Sequence, residues 1–137
     1  LAIAKETVRE ATATLASRVE PGISPATLAL ALSEVMIAGV PARAMLGLVV
    51  AADADPEIRK PLRKLIRHIR GVVQELLAKA GIACDAESAL VFHATVVGLV
   101  VMHQARMEPA SAREMRLGVA AMVAATSARS CSLSVNW

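Results

Sequence analysis

From Ser88 to Ala105 the chain carries no charged residue, and between Ala89 and Met102 the only side chains with real polarity are His93 and Thr95. A helix apolar all round has to be covered on more than one side. The segment that follows adds to the demand. Small residues recur at helical spacing in both, as Ala94, Gly98 and Ala105 in the first and Gly118, Ala121, Ala125 and Ala128 in the second. Such stripes let helix backbones approach closely, and Val97, Val101 and Leu117 stand beside them. In a chain of 137 residues the remaining helices can scarcely sheath both segments, so a second copy of the chain is expected to pair with them across a two-fold axis as a four-helix seam. The alternative is packing within a single subunit.

Composition narrows the class further. Tyr is absent and Phe92 and Trp137 are the only aromatics, which disfavours sheets and leaves no stacking platform for nucleic-acid bases. With 55% hydrophobic and 20% charged residues the chain reads as one compact domain. Folding at this length removes about two-thirds of the unfolded surface from water, so no disulfide or structural metal is required. Cys84 and Cys131 match no metal-ligand spacing and read as free thiols of a reducing compartment. The uncharged stretch approaches membrane-spanning length, but His93, Thr95, His103 and Gln104 lie in it. Lys5, Glu6, Arg9 and Glu10 break up the N-terminal apolar residues, so no secretory signal is read there.

Six helices follow from periodicity and punctuation. Leu1, Ala4, Val8, Ala11, Leu15 and Val19 mark the apolar face of the first. It lacks a cap and an initiator methionine, and so reads as the continuation of a helix begun upstream. Ser24-Pro25 starts a second helix, to Ala38, which Gly39 closes. A short third helix runs from Pro41 to about Ala52 and is expected to be buried, since Met45, Leu46, Leu48, Val49 and Val50 leave little polar face. Asp55-Pro56-Glu57 opens a long fourth helix ended by Gly81, with Pro61 kinking or tightening its first turns. Asp85 caps a fifth, to about Arg106. Ser111 and Glu114 form a capping-box pattern for a sixth, ending near Ala128. The serine-rich remainder to Trp137 shows no usable period and reads as loose or docked nonperiodically. The fold class is therefore all-α, a bundle of about six helices.

Arg59, Lys60, Arg63, Lys64, Arg67 and Arg70 cluster in the fourth helix, and without them the net charge would be −3 instead of +3. The opposite face is apolar, so the stripe reads first as a solvated face and second as a site for an anionic partner, whether nucleic acid, acidic lipid or acidic protein. No catalytic constellation, metal set or cofactor motif is present in the spacing: His68, His93 and His103 have no HExxH neighbourhood, and no GxSxG elbow occurs. No enzyme activity is expected. His93, in the most apolar helix, is either a satisfied core histidine or a hydrogen-bonding group for a ligand. The six methionines fill core or line an adaptable apolar cavity, with the third helix as a movable wall.

The order of elements and the text DADPEIRKPLRKLIRHIRGVVQELLAKAG (53–81), AESALVFHATVVGLVVMHQAR (86–106) and SAREMRLGVAAMVAA (111–125) resemble the C-terminal ligand-binding and dimerisation domain of TetR-type transcriptional regulators. That resemblance implies one domain over 1–137, with a linker-type helix at 1–19, sensor helices at 24–81, dimerisation helices at 85–128 and a tail at 129–137. It implies a cytoplasmic homodimer, not a membrane protein, that senses a small, largely apolar effector and reaches operator DNA only through an N-terminal helix-turn-helix lying outside this chain. The protein would then be a repressor that the effector relieves of DNA. Two heads must sit about 34 Å apart to enter successive major grooves, and a ligand favouring another spacing weakens DNA binding reciprocally. The cavity would lie among the first five helices, and helix faces offer Met36, Arg43, Met45, Val49, Ile66, Ile69, Phe92, His93 and Val96 as its lining. Ala94, Val97, Gly98, Val101, Ala105, Leu117, Gly118, Ala121 and Ala125 would form the dimer interface. The competing reading is a stand-alone interaction module whose basic face at 59–70 docks an acidic protein or membrane surface.

Overall fold

The structure, a computed structural model, describes residues 2–135, without the side chains of residues 40, 41 and 133–135. Six helices follow one another: α1 (Ala2–Arg18), α2 (Pro25–Ala38), α3 (Val40–Ala54), α4 (Pro56–Lys79), α5 (Ala86–Arg106) and α6 (Pro109–Val135). There is no strand among the described residues. The expected all-helical bundle is the fold.

Local hydrogen bonds explain most of the boundaries. The Ser24 hydroxyl accepts from the Thr27 N–H at 3.1 Å ahead of Pro25, relieving one of the orphan donors at a helix start. Gly39, at φ 81°, ends α2 and begins α3, a left-handed conformation that a side chain would strain. The Asp55 carboxylate accepts from the Glu57 N–H at 3.0 Å. The first turn of α4 is wound tightly, the Ile58 N–H reaching the Asp55 carbonyl at 3.1 Å, and Pro61 sits within the helix. At its end the N–H groups of Gly81 and Ile82 close back onto the carbonyls of Ala78 and Leu77, both at 2.9 Å, a Schellman turn whose buried Ile82 joins Leu77 in the core. Asp85 caps α5 by accepting from the Ser88 N–H at 2.7 Å, and those bonds to Ser88 hold its carboxyl below the usual range.

Three expectations are corrected. The sixth helix begins at Pro109, not at a capping box on Ser111. Ser111 is buried in its first turn, where its hydroxyl donates to the Glu108 carbonyl at 2.9 Å and meets His103 Nδ1 at 2.8 Å, while Glu114 pairs with Arg106. That helix also runs on to Val135 instead of ending near Ala128. Tertiary contacts hold the extension, since Ser130 Oγ accepts from the Ala83 N–H at 3.0 Å and Arg129 donates to Glu87 at 3.3 Å; the last residues of the expected tail, 136 and 137, lie outside the described residues. The third helix is not buried: Val49 and Val50 are 49% and 73% exposed, because α3 packs chiefly on α1 and α4 at the edge of the bundle.

Two apolar clusters hold the bundle. The larger joins Leu28, Leu32, Leu76, Leu77, Phe92, Met115, Val119 and Val123 with Leu15, Val19 and Ala42, tying α2, α5 and α6 to the ends of α1 and α4 and the start of α3. The smaller joins Val8, Leu48, Ala52, Leu62 and Leu65 between α1, α3 and the start of α4.

Candidate functional site

Where the two clusters meet, the helices do not close. A cavity of about 240 Å³ remains, walled by Val8, Ala11, Thr12 and Leu15 of α1, Leu32, Val35 and Met36 of α2, and Ala42, Met45, Leu46 and Val49 of α3. From α4 come Ile66, Ile69, Val72, Val73 and Leu76, and from α5 Phe92, His93, Val96, Val97 and Val100. Of the residues expected to line such a cavity, Met36, Met45, Val49, Ile66, Ile69, Phe92, His93 and Val96 all do so.

Arg43 does not. It is exposed in the first turn of α3, its guanidinium folded against Gly39, because the short apolar face of α3 turns Met45, Leu46 and Val49 inward and leaves a charged side chain to reach water. The sequence does not single out the four lining residues of α1: the Val8, Ala11 and Leu15 stripe is plain in it, but a stripe of that kind does not say whether it meets other side chains or a void.

His93 brings polarity to this wall. It is half-buried, and Arg70 Nε donates to its Nδ1 at 3.4 Å. Burial first, and then the Arg70 charge, push the imidazole below its ordinary range. The ring is therefore neutral near pH 7, and acceptance at Nδ1 leaves the proton on Nε2. A neutral imidazole donor on an apolar wall can form a hydrogen bond without demanding a counter-charge.

A strip of uncovered apolar surface, which includes the cavity-bordering Val97, runs along α5. Ala94, Val97, Gly98, Val101 and Ala105 are exposed on α5, and Leu117, Ala121 and Ala125 on α6, with Val97, Val101 and Leu117 at 39%, 43% and 65%. Gly118 differs from these. It is half-buried, and a Cβ there would come within 2.7 Å of the Leu99 side chain, so its bareness serves the α5–α6 joint within the subunit.

A family model described as the tetracyclin repressor-like C-terminal domain matches residues 24–126. The chain belongs to this family. No curated protein and no solved structure matches it. Membership makes the chain a regulator's domain of the ligand-binding and dimerisation type, in a family whose C-terminal domains are regulatory.

The other polar features of this TetR-like domain fit around that assignment. The His103–Ser111 pair is buried with the hydroxyl committed to a backbone carbonyl, which makes it a joint between α5 and α6. In the basic stripe of α4, Arg59, Lys60, Arg63, Lys64 and Arg67 are exposed and Arg70 turns to His93. No group of metal-ligating side chains occurs among the described residues. Helix α5 is long and apolar enough to cross a membrane; it packs on α6 and α4 with Phe92 buried, while its other face is uncovered. Met36 and Met45 line the cavity, whereas Met115 is core and Met102 and Met107 are exposed.

Proposed function

We propose that this domain is the effector-sensing and dimerising body of a cytoplasmic TetR-type repressor, released from operator DNA when a small, largely apolar molecule enters the α1–α5 cavity. The observation that carries the reading is the cavity itself, an apolar hollow bordered by five helices at the meeting point of two cores. The helix of residues 2–18 serves as the linker, 24–81 as the sensor and 85–128 as the dimerisation unit, which α6 extends to Val135. Val8, Ala11, Thr12 and Leu15 belong to the cavity wall, so a ligand pressing there moves the helix that carries the DNA-reading head. Ligand and DNA then weaken one another by the same factor.

The exposed strip on α5 and α6 supports a homodimer: contiguous apolar surface of this kind is costly in water, and a two-fold mate covers it with a copy of itself. Sedimentation equilibrium tests this half, with a dimer mass expected for the native chain and a monomer mass for Ala121→Glu. A monomeric native chain refutes it. Neutral apolar compounds test the other half: they raise the melting temperature by mass action, and Ile69→Trp, which fills the hollow, removes the rise. A native chain that no such compound stabilises refutes the sensor reading.

A further inference from the structure

A second hollow lies beside the first. Between α1 and α4 an open groove of about 560 Å³ exists because α1 offers only Thr12, Ala13 and Ala16 against Pro61, Leu65 and Val72 of α4. Its charged and titratable lining is Lys5, Arg9, Lys64 and His68, with no carboxylate. None of the four enters an ion pair with a described residue. Cations left without counter-charges around a concave surface concentrate field there and attract anions.

The groove and the apolar cavity share Thr12 and Val72 as wall residues, so one seam separates a basic hollow from a greasy one. The Thr12 hydroxyl donates to the Arg9 carbonyl at 2.8 Å, and a hydrocarbon crossing the seam therefore strands no unsatisfied donor. The cavity's 240 Å³ equals the liquid volume of about eight waters, room for an alkyl chain of about as many carbons.

We infer that the effector is an anionic amphiphile of the medium-chain carboxylate type, with its tail in the α1–α5 cavity and its head among Lys5, Arg9, Lys64 and His68. This rests on the sensor reading above and adds the head site to it. Two partly exposed ion pairs, each worth up to about fivefold in affinity, make a combined contribution on the order of tenfold.

Calorimetric titration with octanoate and 1-octanol, on the native chain and on Arg9→Gln/Lys64→Gln, tests the assignment. Native chain is expected to bind octanoate more tightly than octanol, and only octanoate to weaken with salt. The double variant should lose about tenfold for octanoate and nothing for octanol. Equal, salt-independent binding of the two by the native chain, or octanoate affinity unchanged in a variant that still binds octanol, overturns the head site and leaves the cavity standing. Failure of both ligands to bind the native chain overturns the sensor reading and the head site together. Should the variant not fold, the salt response of the native chain decides alone.

Discussion

At its start α4 sets Leu62 and Leu65 against Val8, Leu48 and Ala52, a small cluster shared with the first half of α1 and the edge helix α3, whereas at its end the same helix sets Leu76 and Leu77 among residues of α2, α5 and α6 and the close of α1. One rigid rod thus joins two ends of unequal anchorage, with the cavity between them. Regions with few buried apolar contacts open at lower free energy than the main core. The weakly held end includes the first half of α1, the helix a DNA head would hang from, while Leu15 and Val19 tie the close of that helix into the strongly held end, which also includes the surface that a second copy would cover. A sensor needs that inequality: one end must yield to a ligand while the other keeps its geometry.

The largest effect that sharpens the contrast comes from truncating a leucine at each end. Leu77→Ala, at a fully buried site in the large cluster, is expected to cost about 2–5 kcal/mol in urea unfolding, a large part of a domain's total stability. Leu62→Ala, 8% exposed in the small cluster, is expected at the lower end of that range, with amide exchange accelerated in α1 and α3 before the rest. Equal costs and uniform exchange would erase the distinction between the ends.

Next in size is the joint at the strong end. Ser111→Ala strips the buried His103 of its Nδ1 partner, and an unsatisfied buried polar group costs about 1–3 kcal/mol. The loss should appear in the urea midpoint while octanol affinity stays the same, because neither residue borders the cavity. A parallel loss of octanol binding would mean that the two ends are coupled as one body. Ser24→Ala, which removes the cap of α2, should cost about 1 kcal/mol by the same measurement.

The same division separates what could be read from the sequence from what could not. Ser24-Pro25, Asp55-Pro56 and Asp85 mark helix starts because each cap bonds a backbone N–H two or three residues on. Ser111 misleads because its hydroxyl turns back to the Glu108 carbonyl and also meets His103 on α5, and no local pattern records a partner on another helix. The run of α6 past Ala128 likewise depends on Glu87 and Ala83. Cavity residues on α2, α4 and α5 were legible as inward faces, since a cavity and a core ask for the same apolar side chains. The exposure of Val49 and Val50 was not, because an apolar run says only that cover is wanted, and α3 finds it on one side. The groove was hidden for a further reason: Arg9 and Lys64 stand 55 residues apart in the chain, and only the packing of α1 on α4 brings their helices together.

The smallest effect concerns the cavity wall between the two ends. His93 is held below its ordinary range by burial and by Arg70, so at mildly acidic pH the unfolded chain binds a proton that the folded chain does not. Stability rises with pH wherever the unfolded state holds more protons. The His93 contribution is therefore complete above the unfolded value, about 6.5, and is lost as pH falls through the lower folded value. Because the ring is only half-buried, the slope is shallow. Urea midpoints of the native chain should fall from neutral pH toward pH 5, and His93→Gln should flatten that slope; the loss from Asp85, whose carboxyl is also lowered, comes in the more acidic carboxylate range. An unchanged slope in His93→Gln would place the titrating group elsewhere and leave the cavity wall without its neutral donor.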